Sequence, residues 1–274
     1  MSKHLAPKRV TVPDIVARKG REPLVCLTAY TTPMAALLDP YVDLLLVGDS
    51  VGMVLHGLPT PVGVTLEMMI LHGQAVMRGA SHALVAVDLP FGSFEESPEV
   101  AFRSAARVLR KTGAQAVKIE TSEAMAATVA YLVQRGVPVL GHVGLRPQSV
   151  NLDGGFKAKG RSPGERERVM AEARATEEAG AFAIVVEGVA EDLAADVTRA
   201  VRVPTIGIGA SAACDGQILV TDDLLGMAEQ TPRFVRRYAA LAPQIAEAAR
   251  AYANDVRARS FPGQAEVYAL RPRG

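Results

Sequence analysis

The chain has 274 residues, with 30 Lys and Arg against 29 Asp and Glu and a formal charge of +1. That balance excludes a phosphate-backbone footprint, so nucleic acid is not an expected partner. Cys26 and Cys214 match no metal-ligand spacing, Met1 to Val10 has no signal-type apolar core, and no apolar run nears the roughly 20 residues of a membrane span, so a soluble cytoplasmic protein with buried thiols is expected.

Pro13 suits the first turn of a short opening helix and Gly20 suits its stop. Leu24 to Thr28 reads as the first strand, Met34 to Leu38 as a small helix and Asp43 to Gly48 as the second strand. Asp49 to Val64 is loop-like, with Gly52, Gly57, Pro59, Pro61 and Gly63, and loops of that length are usually functional lids. Thr65 caps a helix to Gly79, and Ala83 to Asp88 is the third strand. Ser97-Pro98-Glu99 starts a helix whose apolar face, Ala101, Ala105, Val108 and Leu109, falls at helical spacing and ends at Gly113. Ala116 to Glu120 is strand four, Thr121-Ser122 caps a helix to Gly136, and Val137 to His142 is strand five. A second long loop, Val143 to Arg161, closes into a capping box, Ser162-Pro163-Gly164-Glu165. Phe182 to Glu187, Val203 to Gly207 and Gln217 to Val220 are the last strands, and a helical tail runs from Phe234 to about Arg257.

Strand-helix alternation repeated about eight times is the pattern of a (β/α)8 barrel. The rival, a doubly wound open sheet, concentrates its ligands at one switch point, whereas here ionisable groups cap strands two to six: Asp49, Asp88, Glu120, His142 and Glu187. A closed ring explains that spread better. We therefore expect one barrel domain over 1–274, with a helical segment over about 1–22 and a tail over about 258–274. Gly207-Ile-Gly209-Ala-Ser-Ala212 follows a strand and resembles a dinucleotide fingerprint, but it comes near the end of the chain rather than in the first strand-helix unit. A tight turn or a close backbone approach to substrate fits it better.

Asp49, Asp88 and Glu120 end three successive strands, so a barrel brings them together, and a divalent cation would relieve their repulsion. All-oxygen ligands without thiolate or paired histidines favour a hard ion such as Mg2+. The alternative is that each carboxylate pairs with a lysine or arginine. Lys118 lies two residues before Glu120 and so points to the same, interior side of its strand, where it could bind an anionic oxygen, act as a Schiff-base nucleophile, or simply form a salt bridge. Glu187 ends a wholly apolar strand, which would desolvate it and favour its use as a general base. His142 could bind, relay or be structural. His4, His56, His72 and His82 form no ligand pattern, and Met68-Met69 reads as core.

The segments Leu27-Thr-Ala-Tyr30, Leu46-Val-Gly-Asp-Ser-Val-Gly-Met53, Val87-Asp-Leu-Pro-Phe-Gly-Ser93, Ala116-Val-Lys-Ile-Glu120, Gly141-His-Val-Gly-Leu-Arg-Pro-Gln-Ser149, Glu177-Glu-Ala-Gly-Ala-Phe-Ala183, Gly207-Ile-Gly-Ala210 and Asp215-Gly-Gln-Ile-Leu-Val220 together resemble the ketopantoate hydroxymethyltransferase family, in the family's order and over nearly the whole chain. The resemblance implies a barrel of the phosphoenolpyruvate mutase and isocitrate lyase type. It implies transfer of a hydroxymethyl group from 5,10-methylenetetrahydrofolate to 3-methyl-2-oxobutanoate, on the way to pantothenate and coenzyme A, with Mg2+ stabilising an enolate. By this resemblance Asp49 and Asp88 bind the metal and Glu120 is a third metal-site acid, either direct or through water. Ser50 and Lys118 contact substrate, along with Asp49 and Asp88, and Glu187 is the base; His142, which the resemblance does not assign, is a candidate for supporting the site. A homo-oligomer, a decamer in the family, is implied as well.

Thr31-Thr32, Gly188 and Ser211 depart from the family pattern, which often has an aspartate, a cysteine and a glycine there. They bear on details such as folate affinity rather than on the reaction class. Two alternatives stand beside this reading: a superfamily lyase or mutase acting on a 2-oxo acid, although no Lys-Lys-Cys-Gly-His-type motif is present, and a non-catalytic metal or oxo-acid binding protein.

Overall fold

Eight parallel strands pair in chain order and close on themselves, the first hydrogen-bonded to the last, in the computed structural model, which describes residues 9–228 and 230–268. Residues 1–8, with Lys3, His4 and Lys8, lie outside the described residues, as do Glu229 and 269–274. The described chain falls into two compact units, one reaching Thr221 and the other starting at Asp222.

In the first unit the order is α1 (Val12–Val16), β1 (Leu24–Thr28), α2 (Thr32–Leu38), β2 (Leu44–Val47), α3 (Val51–Val54), α4 (Leu66–Gly79), β3 (Leu84–Asp88), α5 (Pro98–Thr112), β4 (Ala116–Glu120), α6 (Ala126–Gln134), β5 (Val139–Gly144), α7 (Val150–Asp153), α8 (Pro163–Glu178), β6 (Ala183–Glu187), α9 (Glu191–Ala200), β7 (Thr205–Ile208) and β8 (Gly216–Leu219). α10 (Thr221–Leu224) spans the division, and the second unit carries α11 (Leu241–Ala258). The closed ring is the expected barrel, and the open-sheet rival is excluded. No helix among the described residues is long and apolar enough to cross a membrane.

Local chemistry sets most element ends. α5 starts where Ser97 Oγ accepts from Val100 N–H, with Pro98 in the first turn, and stops at Gly113 in the left-handed region at φ 79°. Its buried face, Ala101, Ala105 and Val108, packs with the outward residues Val87, Val117 and Ile119 of the barrel. The inward residues form a separate apolar cluster that includes Leu24, Cys26, Leu44, Leu46, Leu84, Ala86, Ala116, Leu140, Ala183, Val185, Ile206 and Ile218, joined by Ile15 of α1. Both cysteines are buried, as their spacing suggested.

Several boundaries differ from the sequence expectations. The stretch Asp49 to Val64 is not all loop: it contains α3 and a 3-10 turn at Pro61–Gly63. Val143 to Arg161 likewise contains the end of β5, a 3-10 turn at Pro147–Ser149, and α7. Strand five starts two residues later than expected because Val137 N–H closes the preceding helix onto Leu132 O and Pro138 has no N–H to enter the ladder. At the other end β5 continues to Gly144, its ladder extended by Val143 opposite Val186 and Gly144 opposite Glu187, so His142 sits inside the strand and not at its end. Neither Thr121 nor Ser122 caps α6: a 3-10 turn at Glu123–Met125 intervenes, and Thr121 Oγ1 donates to His142 O instead. At α8 the capping box is half made, since Ser162 Oγ accepts from Glu165 N–H but the Glu165 carboxylate accepts from Arg161 N–H. The segment 234–240 is not helical, and α11 begins at Leu241.

At the N-terminal face Asp215 accepts from Thr205 N–H and Oγ1, Gly20 N–H and Lys19 Nζ, binding the α1–β1 loop to β7. Burial alone would raise its pKa, but these donors outweigh it and hold the carboxyl below its usual range. A depressed native pKa means stability present above about pH 4 and lost as pH falls through the native value. Asp215→Ala should cost roughly 2–4 kcal/mol at neutral pH, and the difference from wild type should shrink on acidification. Urea melts over the acid range measure it, and a pH-independent difference would contradict the ionised role.

Candidate active site

Strand alternation explains what gathers at the C-terminal mouth. Two residues beyond the inward Ala86, Ala116, Leu140 and Val185 come Asp88, Lys118, His142 and Glu187, so each continues the interior side of its strand above the apolar layers, and Glu120 follows Lys118. The register places Asp88 opposite Lys118, Glu120 opposite His142, and Glu187 opposite Gly144. Gly144 has φ 96°, and a Cβ there would stand 2.4 Å from Glu187 O, so only glycine lets the two strands approach at this point.

Asp88 is the hub. Its Oδ1 accepts from Lys118 Nζ at 2.7 Å, and its Oδ2 accepts from the Asp49 N–H at 3.0 Å, which fixes the turn after β2. The bland reading of a salt bridge thus holds for Asp88. Burial alone would lower the Lys118 pKa, but Asp88 and Asp49 outweigh it and raise it, favouring the charged ammonium over a free amine nucleophile. Asp49 and Glu120 are buried near Lys118, which attracts both, but among the described residues neither forms a direct ion pair. Asp49 Oδ2 accepts from Gln148 Nε2 at 2.7 Å, and Glu120 Oε1 accepts from Gln148 N–H at 2.8 Å. Burial, with Asp88 adding repulsion, pushes Asp49 up to about 7; burial, partly offset by the Gln148 N–H, pushes Glu120 up to about 8.

Glu187 departs from expectation. Its side chain keeps 19% of its surface exposed, so the desolvation expected there falls on Asp49 and Glu120 instead. Its Oε2 lies 3.2 Å from His142 Nε2, a close contact outside hydrogen-bond geometry: among the described residues neither ring nitrogen of His142 has a hydrogen-bond partner. Burial lowers the His142 pKa, so the ring is neutral at pH 7. Ser50 is positioned by Tyr30, whose Oη lies 2.8 Å from Ser50 Oγ. His72 Nδ1 lies 2.8 Å from Tyr30 O, and His56 Nε2 lies 3.0 Å from His72 Nε2, contacts that the sequence did not reveal. Gln148 and Tyr30 are the site residues that residue-type reasoning missed; the one signal was their place inside the family-like segments. Gly207 and Ile208 end β7 and Gly209 takes φ 56°, so the Gly-Ile-Gly-Ala stretch is the strand end and the start of the turn after it.

The donors fit a hard divalent cation: they are oxygens, buried, and three carboxylates share the single ammonium of Lys118. Among the described residues no three His, Cys, Asp or Glu side chains form a ready cage. Mg2+ needs none, since it commonly takes one or two carboxylates and fills its remaining positions with water and substrate. Asp49 and Asp88 could hold it directly, with Glu120 further out. Because the raised pKa values exceed those of the unfolded chain, the cation-free protein should lose stability as pH rises from about 4 to about 8. Mg2+ should therefore raise Tm more at about pH 8 than at about pH 6. Thermal melts with and without Mg2+ test this, and an increment that shrinks with rising pH would contradict it.

A parallel eight-stranded barrel with acids, a charged lysine and a part-exposed glutamate at its C-terminal mouth defines a (β/α)8 barrel enzyme. Residues 9–264 match the family model described as ketopantoate hydroxymethyltransferase. The chain is 65% identical over 270 residues to the 3-methyl-2-oxobutanoate hydroxymethyltransferase of Phenylobacterium zucineum, covering 98% of each, and 64% identical over 272 residues to that of Rhodospirillum rubrum, again covering 98% of each. Among solved structures it is similar to 2,3-dimethylmalate lyase, a PEP mutase/isocitrate lyase superfamily member, at TM-score 0.59 and 16% identity over 97% of this chain and 93% of that one. That distant likeness shows the fold alone. The chain belongs to the ketopantoate hydroxymethyltransferase family and is a transferase.

Proposed function

We infer that the protein transfers a hydroxymethyl group from 5,10-methylenetetrahydrofolate to 3-methyl-2-oxobutanoate, giving 2-dehydropantoate for pantothenate and coenzyme A synthesis. The observation that carries the reading is the part-exposed Glu187 carboxylate beside the buried Asp49, Asp88, Lys118 and Glu120. A general base has to reach substrate, and the buried carboxylates have to hold charge.

A Mg2+ ion held by Asp49 and Asp88 would polarise the 2-oxo acid and stabilise the charge left when C3 loses its proton. Lys118, charged and fixed by Asp88, offers N–H donors to the anionic end of the substrate. Ser50, oriented by Tyr30, offers its hydroxyl beside Asp49. Glu187 Oε accepts the C3 proton, and buried His142 packs against that carboxylate. The segments after β2 and β5 carry Ser50 and Gln148 and flank the mouth, where C3 attacks the folate-borne carbon; the bond from that carbon to the folate nitrogen then breaks, with one water supplying the product's hydroxyl and the proton taken up as tetrahydrofolate leaves. The reading includes a homo-oligomer, which light scattering checks.

The test is mass spectrometry of products after incubation with Mg2+, methylenetetrahydrofolate and 3-methyl-2-oxobutanoate, and with each omitted in turn. Product of the mass of 2-dehydropantoate only in the complete mixture is the expected result. Cleavage of the keto acid without folate would instead indicate a lyase.

A further inference from the structure

Asp49 and Glu120, the two buried acids of the cluster without a direct ion pair among the described residues, are both held by Gln148. It comes from a distant part of the chain, 99 residues from Asp49 and 28 from Glu120. The backbone bond has a local cause. Pro147 opens the 3-10 turn Pro147–Ser149 and carries no N–H, so the first free donor of the turn is that of Gln148, which has no partner within the turn and meets Glu120 Oε1. The side-chain amide is equally constrained. Nε2 donates to Asp49 Oδ2 and, at 3.0 Å, to Leu89 O, and turning the amide over would set its oxygen against two acceptors. The turn is anchored from behind by Arg146, whose Nη1 donates to Thr121 O at 3.2 Å and lies 3.5 Å from Glu172.

We propose that Gln148 is a positioning residue that couples the seating of the loop after β5 to cation binding by the acid cluster. The proposal rests on the cation-site reading above. Gln148 Nε2 on Asp49 Oδ2 and Gln148 N–H on Glu120 Oε1 tie both carboxylates to the loop, so a cation that fixes the carboxylates in place also fixes the loop. Linkage makes the effect reciprocal: whatever Mg2+ contributes to loop order, loop order returns to Mg2+ affinity.

The experiment uses Mg2+ alone as the probe, with calorimetric titration and amide hydrogen exchange on the full chain. In wild type, Mg2+ should bind and raise protection over residues 145–154. Gln148→Leu, which keeps the backbone N–H but removes the amide, should lose about tenfold or more in Mg2+ affinity together with the Mg2+-linked protection. Gln148→Asn, with the amide on a shorter stem, should fall between the two. Wild-type affinity and protection in Gln148→Leu, or Mg2+ binding to wild type with no change over 145–154, would overturn the coupling while leaving the cation site standing. No Mg2+ binding to wild type would overturn both. If Gln148→Leu does not fold, wild-type exchange and Gln148→Asn decide the question by the same criteria.

Discussion

Glu187→Gln should lose the washing of deuterium from D2O into C3 of 3-methyl-2-oxobutanoate, by a factor on the order of 10²–10⁴, while still binding the keto acid. The amide keeps the shape of the carboxylate but cannot accept a proton. The exchange needs the keto acid and Mg2+ but not the one-carbon donor, so it isolates the base from the transfer step. NMR of the keto acid at timed intervals measures it. A lyase or mutase has no reason to labilise that hydrogen. Wild-type exchange in the variant would move the base role elsewhere, with His142, 3.2 Å from the Glu187 carboxylate, the next candidate.

Asp49→Asn and Asp88→Asn should each weaken Mg2+ binding at least tenfold and lower kcat/KM by about 10³ or more, since each removes a carboxylate from the cluster. Their effects on stability should separate. Asp88→Asn leaves the buried Lys118 ammonium, 7% exposed as a residue, facing a neutral amide, and loss of one member of a buried pair costs about 3–5 kcal/mol. Asp49 has no direct ion pair, and burial with Asp88 beside it outweighs the attraction of Lys118 and disfavours its ionised form, so Asp49→Asn should be neutral or stabilising in the absence of Mg2+. Calorimetric titration and denaturant melts on the same samples read both quantities. Unchanged Mg2+ affinity in both variants would remove the cation-site assignment, and equal stability losses would contradict the pairing of Asp88 with Lys118.

The barrel was legible because its signals are local. Ser97-Pro98 and Gly113 bound α5, and Ser162-Pro163 starts α8, through contacts within a few residues. Apolar strands ending in Asp88, Glu120 and Glu187 announce the functional mouth for the same reason: alternation along one strand decides which side chains face inward, and the strand ends decide how high they stand. Where local signals compete, the reading slipped. Pro138 delayed the start of β5, pairing of Val143 and Gly144 with β6 carried the strand past His142, and Thr121, suited to a cap by type, found an acceptor across the sheet in His142 O.

By itself, then, the sequence determined the fold class, the family and the set of acids, because these depend on residue type and short-range periodicity. The tertiary structure alone decided how those acids differ. Whether a carboxylate meets Lys118, an amide from 99 residues away, or open solvent depends on ring closure and on which loop folds over which strand. Burial and partnership, not strand position, divide Asp88, Asp49 and Glu187 into three physical states, because the free energy of a charge is set by the groups within a few ångströms of it, and those groups come from anywhere in the chain.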